Sequence, residues 1–515
     1  MATRIACVGG GPGGLFFATL VKQADPSIQV TVFERNRASD TFGFGVVFSD
    51  ATLAAIHQAD PVLLRGLRDH GRHWDQIEVR LKGSRLRCGG NGMAAITRRT
   101  LLTLLQQRAL EVGVELRFAT EVPSLASLAE YDLVVAADGA NSRIRGELAD
   151  VFAPTVEVAT AKFIWFGTTY PFEGLTFVHA QSPHGTFAVH GYPIGDGVGT
   201  FIVETDEQSW RAAGLDEFDT GQPPGPSDEK TKRYLEKLFA DQMDGHGLLR
   251  NNSRWGNFRT WRTATWHHEN VVLLGDAAHT AHFSVGSGTK MALEDAVALA
   301  SSVLGSADLS AALASYQDIR KPKVARIQDS ARPSLSWWEH FGRYHDAFEP
   351  TRFAFHFLSR SISRDKLAAR DPSFVAAVDE SWRAEHGTDD VLATPLELPA
   401  HRFPGRFLTI DQSRTVAGLP LRDTPPPEGP WALWLTAPDD ESGLPAAFSQ
   451  LSGALAGKPA LVAVHSGSSL TRVLLAEQAR LVHNVPAMIV EEADRDRATT
   501  LVLSGRADLV ARELA

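Results

Sequence analysis

Arg4-Ile5-Ala6-Cys7-Val8-Gly9-Gly10-Gly11-Pro12-Gly13-Gly14 runs from a short apolar strand pattern into a glycine turn, and Leu15 to Gln23 continues it as an apolar helix. Gln29-Val30-Thr31-Val32-Phe33 is a second buried-strand pattern, so the chain opens on a β-α-β unit. The turn satisfies G-x-G-x-x-G: Gly9 permits a tight turn, Gly11 lets the backbone approach a pyrophosphate, and Gly14 lets the helix pack closely. The helix N-terminus then faces the anion. Glu34 follows the second strand, twenty residues after Gly14, where a carboxylate accepts the hydroxyls of a ribose. The spacing alone is weak in a glycine-rich chain. Its place between strand and helix, with the acid in position, makes it a dinucleotide signature.

Working outward, Tyr131 to Ala136 returns to a buried parallel-strand pattern and ends in Asp138-Gly139-Ala140-Asn141-Ser142-Arg143-Ile144-Arg145. Glu269 to Leu274 is another such strand and ends in Gly275-Asp276-Ala277-Ala278-His279. Ligands of open α/β sheets gather at these carboxyl ends. A carboxylate buried beside a cofactor needs hydrogen-bond donors, and the ribityl hydroxyls of FAD would supply them to Asp276. Gly286-Ser287-Gly288 precedes a long helix, Thr289 to Leu304, whose positive end would face the pyrimidine edge of a flavin. Strand patterns near Trp74 to Cys88 and from Val156 to Glu204 predict a second sheet inserted into the nucleotide domain.

The chain has 515 residues, 43% of them hydrophobic and 22% charged, which predicts a globular protein of two or three domains. A formal charge of −10 argues against nucleic acid as the partner. Two cysteines, Cys7 and Cys88, give no disulfide framework and fit a reducing, cytoplasmic setting. No apolar run reaches membrane-spanning length, so no membrane partner is expected.

The glycine loop, the D-G-x-x-S-x-x-R stretch and the G-D-A-A-H stretch, in this order, resemble the single-component FAD-dependent aromatic hydroxylases of the p-hydroxybenzoate hydroxylase type over about residues 1 to 385. The resemblance implies a Rossmann-like FAD-binding domain (1–72, 91–155 and 265–330) with an inserted β-sheet substrate domain (73–90 and 156–264). A helical segment (331–390) and a small C-terminal α/β module (391–515) would follow. It implies that Glu34 holds the adenosine ribose, that Arg98 contacts the FAD phosphate region and that Asp276 binds the ribityl chain. Asp138 and Arg145 shape the motif used for FAD and NAD(P)H, and Arg35 and Val46 join Gly9, Gly11, Gly14, Gly286 and Gly288 as cofactor-binding positions. NADH or NADPH would be the co-substrate, and O2 would reach the ring through a flavin hydroperoxide.

A narrower resemblance lies in Phe42-Gly-Phe-Gly-Val-Val-Phe-Ser-Asp50 and His279-Thr-Ala-His-Phe-Ser-Val-Gly-Ser-Gly-Thr-Lys290. These look like salicylyl-CoA 5-hydroxylases and the monooxygenase half of anthraniloyl-CoA monooxygenases. The implied substrate is an aromatic CoA thioester, with an indole-derived or free aromatic acid, or flavin reduction without oxygen insertion, as alternatives. His282, beside the flavin loop, and His190, on the inserted sheet, are the candidate catalytic histidines, because an imidazole that takes or shares a phenol proton makes the ring more electron-rich. His279 reads as architectural. Arg80, Lys82, Arg85 and Arg87 are a candidate cluster for CoA phosphates or a solvated strand face.

From Ala460 the pattern is strand, helix, strand, helix, ending in Gly505-Arg506-Ala507-Asp508-Leu509-Val510, which resembles the end of old-yellow-enzyme barrels. About 200 residues are needed for a (β/α)8 barrel. The module is therefore expected not to close and to be a truncated remnant without FMN, used for packing, homodimer formation or covering the substrate entrance. A thioredoxin-like tail is the alternative.

Overall fold

A computed structural model describes residues 3–41, 43–219, 221, 225–283 and 288–513. The chain folds as two compact units, Met1–Leu81 with Asn91–Glu339, and Lys82–Gly90 with His340–Ala515. In the first unit the strand Arg4–Val8 lies between Gln29–Phe33 and Leu133–Ala136, all parallel. Glu115–Arg117 extends the sheet on one side; Val271–Leu273 and an antiparallel edge, His267–His268, extend it on the other. After Arg4–Val8 the chain builds one side of the sheet, then returns to build the other. The crevice between Arg4–Val8 and Leu133–Ala136 is thus a topological switch point, where loops diverge and leave room for a ligand. Near-continuous burial of these strands, with Ile5, Cys7, Leu133 and Val135 fully enclosed, follows from helices on both faces. The helix Pro12–Ala24 packs against Gly288–Gly305, so two helix N-termini reach the same end of the sheet.

The inserted sheet runs in the order Leu248–Leu249, Pro154–Thr168, Val198–Thr205, Gly185–Gly195, Leu175–Ser182, Ile77–Leu81, with Gly256–Thr263 also paired to Pro154–Thr168. Period-two alternation divides its residues cleanly. Ile164, Phe166, Val178, Phe187, Val189, Phe201 and Val203 form a closed apolar core with Leu235 and Phe239 on one face. The opposite face carries Phe163, Trp165, Phe177, His179, His190, Tyr192, Ile202 and Glu204, by the pairings Phe163↔Glu204, Trp165↔Ile202, His190↔Ile202 and Phe177↔His190. A three-stranded sheet that the strand patterns did not separate, Gly45–Ser49, Met93–Thr97 and Arg72–Trp74, meets Tyr192, Ile194 and Ile202 of that second face. The unit ends within a helix of 39 residues, Leu309–Ala347.

The second unit corrects the expectation that the C-terminal module cannot close. Phe407–Ile410, Thr415–Val416, Leu419–Arg422, Ala432–Thr436, Leu461–His465, Ala487–Val490 and Leu509–Glu513 form a closed barrel. Six strands are parallel, and Thr415–Val416 runs against its two neighbours. The length argument assumed a helix between every pair of strands. Here two tight turns, Asp411–Arg414 and Ala417-Gly418, replace two of those crossovers, and antiparallel neighbours need no helix between them. The interior is filled by alternate residues, among them Leu419, Leu421, Ala432, Trp434, Leu461, Ala463, Met488 and Leu509. A closed ring also sets aside the thioredoxin-like alternative, which is an open sheet.

One buried polar network holds this unit together. Glu477 accepts from Tyr344 Oη at 2.5 Å, Arg343 Nη2 at 3.1 Å and His356 Nε2 at 3.0 Å. Arg506 donates to the His356 carbonyl at 2.7 Å and to Ser359 Oγ at 2.9 Å. Burial alone would push the Glu477 carboxyl up, but the His356 bond and the charges of Arg343 and Arg506 hold it at about 2. Burial, reinforced by Arg506, keeps His356 neutral, down at about 3. An unfolded histidine binds its proton near 6.5, so between that value and the folded one the unfolded chain takes up more protons. The His356 share of stability is therefore complete above the ordinary histidine range and is lost on acidification. We expect about 2 kcal/mol of it to disappear between pH 8 and pH 5. Urea unfolding of His356→Gln should show a correspondingly flatter acid side, and Glu477→Ala should cost about 3–5 kcal/mol at neutral pH.

Candidate active site

The glycine turn sits at the switch point, and each glycine is there for a different reason. Gly9 has φ +113°, and a Cβ on it would lie 2.2 Å from the Ala137 carbonyl across the crevice. A Cβ on Gly14 would lie 2.3 Å from the Gly9 carbonyl, and one on Gly13 would lie 2.4 Å from Leu274. These three are required by the fold. Gly11 is not: its φ is −76°, and a Cβ there meets nothing within 4 Å. Gly288, which opens the helix Gly288–Gly305, is equally unobstructed by protein. Both border a groove of about 300 Å³ that is also lined by Glu34, Asn36, Arg37, Arg98, Asp276 and Thr289. Backbone left bare along a groove, under two helix N-termini, fits an anionic group bound at close range.

The groove's charges are placed by neighbouring backbone. Glu34 Oε2 accepts from the Gly10 N–H at 2.8 Å, and Oε1 accepts from the Asn36 N–H at 2.8 Å and from Asn36 Nδ2 at 2.7 Å. Arg35 is exposed and is not among the groove-lining residues; Arg37 stands there instead, in the bend that follows the strand Gln29–Phe33. Val46 is buried in the apolar core of the strand Gly45–Ser49. Asp276 is open to the groove yet walled in elsewhere. That enclosure pushes its carboxyl up, against the pull of His279 and Arg98. Arg98 is in turn pushed down by burial and supported by Asp276 and Tyr192.

Asp138 and Arg145 brace the loops. Asp138 Oδ2 accepts from the Arg143 N–H at 2.8 Å, capping the short helix Arg143–Glu147. Arg145 donates to the Ala140 carbonyl at 2.6 Å and the Ala277 carbonyl at 2.9 Å while lying 4.0 Å from the Trp261 ring. It thereby ties the Asp138 loop to the Asp276 loop. His279 is 2.7 Å from Asp295, which also receives Arg320 at 2.7 Å, so His279 serves the architecture of the loop. Gly286, like Phe42 of the narrower motif, lies outside the described residues.

His190 and His282 meet on one carboxylate. His190 Nε2 is 2.6 Å from Glu204 Oε2, and His282 Nε2 is 3.3 Å from Glu204 Oε1. Their exposures are 3%, 2% and 1% for His190, His282 and Glu204, so the charge has no solvent to fall back on. Burial alone would raise the Glu204 carboxyl; the two imidazoles hold it at about 2. Around them lies an aromatic shell. Trp338 is 4.3 Å from His190 and stacks at 6.0 Å on His179; Phe283 is 4.2 Å from His282, and Phe258 is 5.0 Å from it. Glu204 and Trp338 were missed in the sequence. Glu204 ends the apolar run Thr200-Phe-Ile-Val-Glu204 at the same parity as Ile202, a charged residue on a buried face, and that was the available signal.

The candidate phosphate cluster is divided between the two units. Arg80 ion-pairs with Glu78 and donates to Tyr170 Oη at 3.1 Å in the first unit, while Lys82, Arg85 and Arg87 belong to the second. Lys82 donates to the Phe348 carbonyl at 3.0 Å, and Arg85 and Arg87 are exposed.

Residues 2–331 match the model of a family described as FAD binding domain. The chain belongs to that family. It is 59% identical over 514 residues to a salicyloyl-CoA 5-hydroxylase from a Streptomyces species, covering 98% of this chain and 99% of the relative. It is 37% identical over 335 residues to a 5-monooxygenase of 3-hydroxy-4-methyl-anthranilyl-aryl-carrier protein from Streptosporangium sibiricum, covering 65% of this chain and 89% of the relative. Among solved structures, the tetrameric form of 2-methyl-3-hydroxypyridine-5-carboxylic acid oxygenase shares the fold with a TM-score of 0.53 at 18% identity, over 70% of this chain and 98% of that one. The protein is an FAD-dependent aromatic monooxygenase that uses NAD(P)H. Among the described residues no helix is long and apolar enough to cross a membrane.

The glycine geometry separates cofactor binding from folding. Gly11→Ala should leave urea stability unchanged or slightly raised yet weaken FAD retention by about tenfold or more, because the added methyl stands where a phosphate must approach. Asp276→Ala should also lose FAD. Gly14→Ala should instead lower the unfolding midpoint. Flavin absorbance per purified chain and denaturation curves read the two effects apart.

Proposed function

We propose that the substrate is an aryl-CoA thioester, salicylyl-CoA, hydroxylated para to its phenol to give gentisyl-CoA. The observation that carries this reading is the likeness to the salicyloyl-CoA 5-hydroxylase at 59% identity over nearly the whole of both chains, C-terminal module included. The second relative's name also places its aromatic acid on a carrier, an aryl-carrier protein.

In this reading Glu34 takes the adenosine ribose, Arg98 the phosphate region and Asp276 the ribityl hydroxyls, whose donors would relieve its enclosure. The N-termini of Pro12–Ala24 and Gly288–Gly305 face the diphosphate and the flavin's pyrimidine edge. FAD, when bound, supplies the electron transfer and oxygen chemistry. The protein's part is to orient the ring, exclude water and manage one proton. Phe163, Trp165, Phe258 and Phe283 provide the apolar enclosure. His282, backed by Glu204 and His190, accepts or shares the phenol proton, which increases electron donation into the ring carbon para to the oxygen. A CoA handle binds far from that carbon, and its binding energy can hold the ring in place.

The C-terminal barrel carries no flavin in this reading. Its interior is packed with side chains, and Glu491 occupies two arginines, Arg472 at 2.9 Å and Arg497 at 2.9 Å, that could otherwise meet a phosphate.

Two measurements check these readings. Salicylate, salicylyl-CoA, anthraniloyl-CoA and an indole acid are compared at equal concentration by mass of hydroxylated product; salicylyl-CoA should lead, and equal or better turnover of free salicylate or the indole would overturn the assignment. Denatured enzyme should release one FAD and no FMN per chain by chromatography.

A further inference from the structure

We propose that Glu204 is a positioning residue for the hydroxylation: it fixes both His190 and His282 as Nε2–H tautomers and lets the pair carry one proton beyond neutrality. The proposal rests on the reading of these histidines as the proton-handling groups of the site. Neither Glu204 nor its bridging arrangement follows from the cofactor motifs.

The geometry carries the argument. The pairing Ala188↔Glu204 puts Glu204 diagonal to His190 on neighbouring antiparallel strands, within reach of a long side chain on the same face. His282 comes to the other carboxylate oxygen from the loop after His279. A carboxylate has no proton to give, so each nitrogen facing it must be a donor. Both approach it through Nε2, His190 at 2.6 Å though without hydrogen-bond alignment and His282 at 3.3 Å, and a nitrogen that close to a carboxylate oxygen carries the proton, which makes Nδ1 the basic nitrogen of each neutral ring. A buried carboxylate with no countercharge is costly, and one imidazolium beside it removes the net charge. His190 makes the shorter contact and stands between Phe177 at 4.9 Å and Trp338 at 4.3 Å, so it carries that proton. His282, at 3.3 Å and beside the cofactor loop, is placed to receive the phenol proton. When a phenol gives its proton to His282 Nδ1, the O–H bond breaks and an N–H bond forms. The three groups together become singly positive against a phenolate.

Among the described residues, the titratable groups that face the pair come from the neighbouring strands. Glu204 comes from the next strand, and His179 from the strand on the other side, past Phe177 and Trp338. Tyr192 shares the strand of His190, and burial pushes it up to about 12. Strand Pro154–Thr168 contributes Phe163 and Trp165, strand Gly256–Thr263 contributes Phe258, and the long helix contributes Trp337 and Trp338, none of which titrates.

The test uses the FAD-loaded full chain. Long-range proton–nitrogen NMR of 15N-histidine protein, with the two rings assigned by their loss in His190→Asn and His282→Asn, should find Nε2–H on both and His190 doubly protonated at neutral pH. Wild-type protein with either ring protonated only at Nδ1 overturns the proposal without any further variant. Glu204→Gln should lower kcat for hydroxylation of salicylyl-CoA by about thirtyfold or more with KM changed far less. It should move the acidic limb of the pH profile to lower pH, because removing the negative charge makes the imidazoles easier to deprotonate. Glu204→Asp, which keeps the charge, should keep the wild-type pH profile at reduced kcat. An unshifted profile and unchanged tautomers in Glu204→Gln would overturn the role. The nitrogen readout needs no substrate, so failure of salicylyl-CoA as substrate would leave it intact.

Discussion

The close approach of two loops across one crevice is the constraint from which the rest of this enzyme follows. Gly9 lies against the Ala137 carbonyl, and Gly14 lies against Gly9, so the first helix starts where the sheet's loops diverge. With those positions free of side chains, Gly11 and the N-terminus of Pro12–Ala24 are exposed along the groove without any demand from packing. The same crevice gathers Asp138, Arg145 and Asp276, because the strands ahead of them pair side by side. Arg145 then links the two loops by hydrogen bonds to their carbonyls. Cofactor binding is thus a property of the sheet's connectivity before it is a property of any one side chain.

The substrate side uses a different rule. An antiparallel sheet sorts its residues by parity, and one face here closes on Phe187, Val189, Phe201 and Val203. The other meets the three-stranded sheet, and its polar members can be buried only if they satisfy each other. Glu204 between two histidines is one solution: a single carboxylate serves two rings and excludes water as it does so. Aromatic neighbours lower the local polarity, which strengthens each charge interaction inside.

Legibility in the sequence followed the range of the contacts. The β-α-β unit was readable because its signals are local: apolar runs, a glycine turn and an acid at fixed spacing. The positions of Glu34, Asp276 and the long helix follow from that. Glu204 was not readable, since its partners depend on the register Ala188↔Glu204 and on a loop some eighty residues further on. Trp338 was not readable either, because its place over His190 is set by how a long helix crosses the sheet. Arg35 and Arg37 show the limit at the smallest scale: they share parity, and only the bend after Phe33 decides which arginine borders the groove.

The C-terminal module shows how a residue count misleads when topology is free. A ring of strands closes when its last strand finds its first, and Leu509–Glu513 does so along Phe407–Ile410. Replacing helices by a hairpin shortens the chain needed without opening the ring. What such a barrel loses at its hairpin is the long loops that would otherwise follow those strands, from which binding sites are built. Elsewhere in the barrel Glu491 reaches both Arg472 and Arg497. An intramolecular carboxylate is always present and suffers no entropic cost of capture, so a free phosphate would have to displace it before binding. The module therefore closes its ring on a short hairpin while Arg472 and Arg497 are satisfied within the chain, so its stability needs no bound anion.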